Sequence, residues 1–236
     1  MNFVLVHGAW HGGWCWRNVA TQLRAQGHQV FTPTLTGLGE RAHLLDASVG
    51  LSTCIEDICA VINSEELLEV VLVGHSFAGP VISGVADRIP DTLQQLIYLD
   101  ALIVQNGKSV LSIFPPEVQL ERSRTIDPEG LRIAIPAPEK FGVTDPQQIA
   151  WLKRQLTPHP LKAYTEVLQL QHPIGNGLKK TYIAVTDPWY APLENLRAWV
   201  KVQPDWAYRE LAAGHDAMLT SPAALTQILL ELAEAG

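Results

Sequence analysis

Three short stretches carry residues whose types could perform acyl transfer. In the first, the apolar run Val70-Val71-Leu72-Val73 leads into Gly74-His75-Ser76-Phe77-Ala78-Gly79, and small residues follow at Ser83, Gly84 and Ala86. A buried parallel strand reads as a continuous apolar run because both its faces are covered. A sharp turn between such a strand and a helix pushes one hydroxyl out at the strand's end, which is the geometry of a nucleophile elbow. Gly74 and Gly79 let backbone approach where a side chain would clash. The plainer reading, a Gly/Ser turn with Ser76 capping a helix, leaves the partners of Ser76 unexplained. A serine hydroxyl is a weak nucleophile and needs an adjacent base. The second stretch, Gly214-His215-Asp216, supplies a late histidine that follows an expected strand. The hydrolase order along a chain is serine, acid, histidine. Asp187 lies between Ser76 and His215 at a strand end, where a carboxylate could fix the imidazole tautomer. The third stretch, His7-Gly8-Ala9-Trp10, follows the first apolar run. Its Ala9 N–H and the N–H of Phe77 are the expected donors to a developing oxyanion.

The remaining histidines read as packing or loop residues. His75 precedes the nucleophile and is expected to point into the core, and His28, His43, His159 and His172 to lie in loops or a cap. His7 and His11 are four apart, but the glycines at positions 8, 12 and 13 argue against the helix that a metal pair would need. No metal site and no cofactor are expected.

The elements that must position these residues alternate along the chain. Strands are expected at 3–6, 29–33, 70–75, 96–99, 181–185 and 206–211. Helices are expected at 15–26, 51–63, 77–88, 191–200 and 221–234. Such alternation predicts a doubly wound, mostly parallel six-stranded sheet with right-handed crossovers, and sites in such sheets lie at the strands' carboxyl ends. His7, Ser76, Asp100, Asp187 and His215 all fall at such ends. Between about 103 and 178 the pattern breaks at Pro115-Pro116, Pro128, Pro136, Pro138, Pro158 and Pro173, with helices best marked near 146–156 and 160–170. This stretch reads as an inserted, mainly helical cap, residues 103–178, on a core of 1–102 and 179–236.

With 47% hydrophobic and 17% charged residues, the 236-residue chain can bury a large core. A net charge of −7 disfavours a nucleic-acid partner. Cys15, Cys54 and Cys59 form an odd set without a C-x-x-C spacing, which suits a reducing compartment. No apolar run is long enough to span a bilayer. The expectation is a cytoplasmic protein, monomer or homodimer, whose partner is a small-molecule ester, with neither nucleic acid nor membrane.

The motifs His-Gly-Ala-x-His-Gly-Gly-Trp at 7–14, Gly-His-Ser-x-x-Gly at 74–79 and Gly-His-x-Ala-Met-Leu at 214–219 together resemble the α/β-hydrolase fold. The resemblance is strongest to the plant methylesterase and hydroxynitrile lyase branch and its bacterial esterase relatives, over roughly 1–101 and 180–236. It implies an α/β-hydrolase fold and a serine esterase. Lyases of that branch carry threonine where this chain has Gly8, and lysine where it has Asp216. Ala9 and Met218 resemble the esterase pattern, and Ser76 departs from the aspartate of dehalogenases and epoxide hydrolases. Two aspartates compete for the orienting acid. Asp187 matches the esterase branch, and Pro188 after it favours an extended backbone. Asp100 ends the strand after the elbow helix, where some hydrolases place their acid, and could instead tie down the start of the cap. Asp187 is the expected acid.

The expected activity is hydrolysis of a small to medium hydrophobic, uncharged ester through an acyl-enzyme, with Trp10, Phe114, Trp151 and Met218 as expected pocket residues. A lyase-like or other non-hydrolytic Ser/His enzyme, and a ligand-binding protein on a hydrolase scaffold, are the alternatives.

Overall fold

In the computed structural model, which describes residues 1–234, the chain runs as follows: strand β1 (Asn2–Val6), helix α1 (Arg17–Ala25), β2 (Gln29–Phe31), α2 (Leu51–Ser64), β3 (Val70–His75), α3 (Ala78–Arg88) and β4 (Leu93–Leu99). After β4 come α4 (Pro116–Ser123), β5 (Arg132–Ile133), α5 (Pro146–Gln155), β6 (His159–Pro160) and α6 (Leu161–Thr165). The chain closes with β7 (Lys179–Val185), α7 (Glu194–Lys201), β8 (Trp206–Leu211), α8 (Ala217–Thr220) and α9 (Pro222–Glu234).

Six strands form one sheet in the order β2-β1-β3-β4-β7-β8, and every pairing is parallel. The expected doubly wound sheet is present. All six residues of β3 are buried, as its unbroken apolar run requires. Alternate residues divide between two cores. Phe3, Leu5, Val71, Val73, Ile97 and Leu99 pack on the α1 and α9 side with Leu23 and Leu229. Val4, Val6, Leu72 and Leu96 pack on the other side with Ile55 and Ile58 of α2, Val81 of α3 and Val200 of α7. A parallel strand covered on both faces buries both of its residue sets.

Gly27 stops the first helix in the left-handed region (φ +84°), its N–H donating to the Arg24 carbonyl at 3.0 Å. Two expectations for the stretch between β4 and β7 shift. The helix expected over 160–170 is only the five residues of α6, and β5 and β6 pair as a short antiparallel ribbon where no strand was expected. Pro128, Pro136, Pro138 and Pro158 lack the N–H that longer ladders or helices would use.

Candidate active site

The parallel register lines up the carboxyl ends of β1, β3, β4 and β8, so the loops that follow them share one edge of the sheet. Val6 pairs with Gly74, Gly74 with Tyr98 and His75 with Leu99. Ser76 is the next residue after β3 and takes φ +53°, a conformation that costs a non-glycine residue of order 1–3 kcal/mol. The turn is held by Ser76 N–H donating to the Leu99 carbonyl at 3.1 Å, and by the Ser76 carbonyl accepting from Leu102 and Gly79 N–H. The glycines act as expected. A Cβ on Gly79 would fall 1.9 Å from the Leu102 carbonyl oxygen, and one on Gly74 would fall 2.9 Å from Ile82.

His215 Nε2 lies 2.9 Å from Ser76 Oγ. Its other nitrogen, Nδ1, lies 2.7 Å from Asp100 Oδ2. An ionised carboxylate only accepts, so Nδ1 carries the proton and Nε2 is free to accept from the serine hydroxyl. The acid expected at this position was Asp187, and the structure corrects that. Asp187 is exposed, with its backbone N–H donating to the Ala213 carbonyl, whereas Asp100 is fully buried against His215. The physical reason is the turn after β4. Asp100 takes φ +43° and its N–H donates to the Ile183 carbonyl of β7, which turns its side chain onto the loop after β8.

Sequence reasoning missed the group that completes this acid. Arg197 on α7 donates from Nε at 2.9 Å and Nη2 at 2.6 Å, both to Asp100 Oδ1, leaving Oδ2 to His215. Arg197 is 1% exposed and stacks beneath Trp189, its guanidinium carbon 4.1 Å from the ring centroid. A signal was present: Leu193, Arg197 and Val200 share one helix face, and all three are buried. A charge on an apolar face needs a buried partner.

The loop after β1 abuts the elbow. A Cβ on Gly8 would lie 2.8 Å from His75 Nδ1 and 3.0 Å from Ser76 Cβ. Among the described residues, neither Ala9 N–H nor Phe77 N–H donates to a backbone or side-chain acceptor in this turn region. The loop's shape is set by two histidines in opposite states. His7 Nδ1 donates to the Gly8 carbonyl at 2.8 Å, while its Nε2 accepts from Leu35 N–H at 3.0 Å. Burial pushes this ring down to about 3, so it is neutral. His11 faces acceptors with both nitrogens: the Ala9 carbonyl at 2.7 Å and Asp216 Oδ2 at 3.1 Å. Burial opposes its charge, but the Asp216 carboxylate outweighs burial and lifts His11 above the ordinary histidine range. Asp216, at the position of the lyase lysine, is therefore buried in an ion pair. His75 is buried as expected and donates from Nε2 to the His215 carbonyl at 2.9 Å, anchoring the loop that carries His215.

Aromatic rings surround His215 and the turn after β3. Tyr190 stacks on His215 with centroids 4.0 Å apart, Phe141 lies 6.2 Å from it, and Tyr164 stacks on Phe77 at 5.5 Å. His159, expected in a loop or cap, is fully buried. Its Nδ1 accepts from Trp10 N–H at 3.3 Å, tying the loop after β1 to β6. A cavity of about 450 Å³ opens here, lined by Trp10, Val118, Ile133, Phe141 and Tyr190. A second, of about 550 Å³, includes Leu102, Ile103, Phe114 and Trp199 and shares Val118, Ala191 and Pro192 with the first. Both have the size and apolar lining of small-molecule sites. Trp10 and Phe114 thus line these cavities. Trp151 and Met218 do not. Trp151 packs edge-on against Trp14 at 5.0 Å in an outer cleft, and Met218 is buried under the sheet. Among the described residues no group of three metal-ligating side chains occurs, and no helix is long and apolar enough to cross a membrane.

Residues 3–228 match the model of the alpha/beta hydrolase family. The chain is 40% identical over 242 residues to a carbendazim hydrolyzing esterase of Nocardioides sp. (strain SG-4G), covering 98% of this chain and 99% of that one. It is 30% identical over 259 residues to methylesterase 10 of Arabidopsis thaliana, covering 98% and 91%. Among solved structures, an extracellular alpha/beta-hydrolase from a Paenibacillus species superposes with a TM-score of 0.85 at 24% identity, covering 98% of both chains.

Proposed function

The chain belongs to the alpha/beta hydrolase family and is an esterase-type member of it, and from that premise we propose that it is a serine carboxylic-ester hydrolase working through an acyl-enzyme. The observation that carries the reading is the continuous line from Ser76 Oγ through His215 to the buried Asp100, at 2.9 and 2.7 Å, with the serine on a left-handed turn.

In this mechanism Ser76 Oγ attacks the ester carbonyl as His215 Nε2 takes its proton. Asp100 holds the Nδ1 proton and stabilises the imidazolium, while the two hydrogen bonds from Arg197 hold the Asp100 carboxylate in place. The carbonyl oxygen, now anionic, is met by the N–H groups of Ala9 and Phe77. His215 then protonates the leaving alcohol. A water molecule, activated by the same nitrogen, releases the acid and regenerates Ser76. The apolar cavity beside Trp10 and Phe141 fits an ester with a hydrophobic body, and the name of methylesterase 10 points to methyl esters. Residues 103–178 act as a cap that supplies most of that wall.

The test is a panel of p-nitrophenyl and methyl esters with wild type and Ser76→Ala. Ester turnover lost in Ser76→Ala supports the reading; turnover by both proteins, or by neither, refutes it.

A further inference from the structure

One cation in the cavity has no role in the chemistry above. Arg122, on the inner side of α4, lines the cavity that also contains Trp10, Phe141 and Tyr190. Its guanidinium carbon lies 4.6 Å from the Phe114 ring centroid, 5.1 Å from that of Tyr164 and 5.7 Å from that of Trp10. All three rings are buried, so the charge sits on an aromatic floor. Its Nε is buried with no hydrogen-bond partner. Among the described residues no carboxylate lies within 4 Å of it: the neighbouring Glu121 turns to Lys140 instead. Arg122 is half-buried, and the buried cations Arg197 and Lys180 each have an acid, Asp100 and Asp205.

Cation–π contact offsets part of the cost of holding a guanidinium here, but leaves its buried Nε without a partner. A guanidinium presents a planar fork that fits a carboxylate with two parallel hydrogen bonds. The rings tie its position to the triad geometry: Tyr164 stacks on Phe77 and Trp10 packs on Phe141 at 5.9 Å, beside His215. Resting on the ester-hydrolase reading, we propose that Arg122 is a substrate-binding residue that takes a carboxylate carried by the ester a few bonds from the scissile bond. The substrate class becomes the half-ester of an apolar diacid, or an ester of comparable shape. This departs from the uncharged ester expected from the apolar and aromatic residues of the pocket. A net charge of −7 is an average over the surface, and the cavity holds a local positive site.

The test uses monomethyl adipate and dimethyl adipate as matched probes. Binding is measured by calorimetry to Ser76→Ala, which requires no turnover. A hydrogen-bonded charge pair in a partly desolvated site predicts that the half-ester binds about 10- to 100-fold more tightly than the diester. In Ser76→Ala/Arg122→Met that preference falls to within about 3-fold, and Ser76→Ala/Arg122→Lys, which keeps the charge but loses the fork, falls between. Thermal melting checks that each variant is folded. Equal or undetectable binding of the two probes, or a preference that survives Arg122→Met, overturns the proposal. If Arg122→Met does not fold, the Arg122→Lys variant decides: an undiminished preference there overturns it as well. Hydrolysis of dimethyl adipate by wild type is scored separately, so failure of the ester-hydrolase reading is distinguished from failure of this one.

Discussion

Asp100→Asn is the sharpest perturbation the site offers, because two separable effects follow from one atom change. Asp100 accepts three hydrogen bonds: Nδ1 of His215 on Oδ2, and Nε and Nη2 of Arg197 on Oδ1. An asparagine keeps one carbonyl oxygen. The bidentate Arg197 will hold that oxygen, which turns the NH2 group toward Nδ1. His215 must then carry its proton on Nε2, where it can no longer accept from Ser76. Loss of the correct tautomer is worth about 10⁴ in kcat, or about 5.5 kcal/mol of activation free energy. The second effect is on stability. Removing the charge leaves the Arg197 guanidinium buried without a counter-ion, a change that costs about 3–5 kcal/mol when a buried pair is broken. At about 2–4 °C per kcal/mol for a chain of this size, the melting temperature should fall by roughly 6–20 °C. Asp187→Asn, at an exposed position, should change stability by less than about 0.5 kcal/mol and keep most of its rate. The assay is kcat on p-nitrophenyl acetate at a temperature where both variants are folded, together with thermal melting. If Asp187→Asn is the folded, inactive variant and Asp100→Asn retains its rate and melting temperature, the assignment of the acid is wrong.

An organophosphonate should label Ser76 stoichiometrically, as mass spectrometry of the digest would show, and labelling elsewhere in an inactivated sample contradicts Ser76 as nucleophile. His7, His75 and His159 are all held neutral by burial, which lowers each below the ordinary histidine value. The unfolded chain therefore binds protons that the fold excludes, so stability should decline as pH falls below about 6.5, by up to about 4 kcal/mol per pH unit; a urea midpoint that does not move between pH 7.5 and 5.5 refutes this. His11 runs the other way. Its raised value means that its contribution is full below about 6.5 and fades as pH rises through the folded value, so the stability gap between wild type and His11→Phe should narrow at alkaline pH, and a gap that widens there counts against the charged pair with Asp216. Gly79→Ala should fail to accumulate as soluble protein, because its Cβ would meet the Leu102 carbonyl at 1.9 Å; a folded, active Gly79→Ala would show that the elbow is looser than described.

Much of the site was legible in the letters because local chemistry decides it. A run of β-branched residues makes a buried strand wherever it stands. Only a tight turn accommodates Gly74 and Gly79 around Ser76, and a histidine after β8 in the order serine, acid, histidine leaves little choice of base. The tertiary structure alone decided the rest, and each case involves contact between segments far apart in sequence. Asp100 and Asp187 end adjacent parallel strands, and both satisfy the chain order. What separates them is the left-handed turn at Asp100, which aims a buried carboxylate at a histidine 115 residues away, while Asp187 faces solvent. Trp151 and Met218 have the right chemistry for a pocket but sit on the wrong side of a wall that only packing builds. Arg122 shows the same limit from the other direction. Its letter reads as one more exposed helix charge, and only the convergence of Trp10, Phe114 and Tyr164 from three separate segments turns it into a cation lining the cavity.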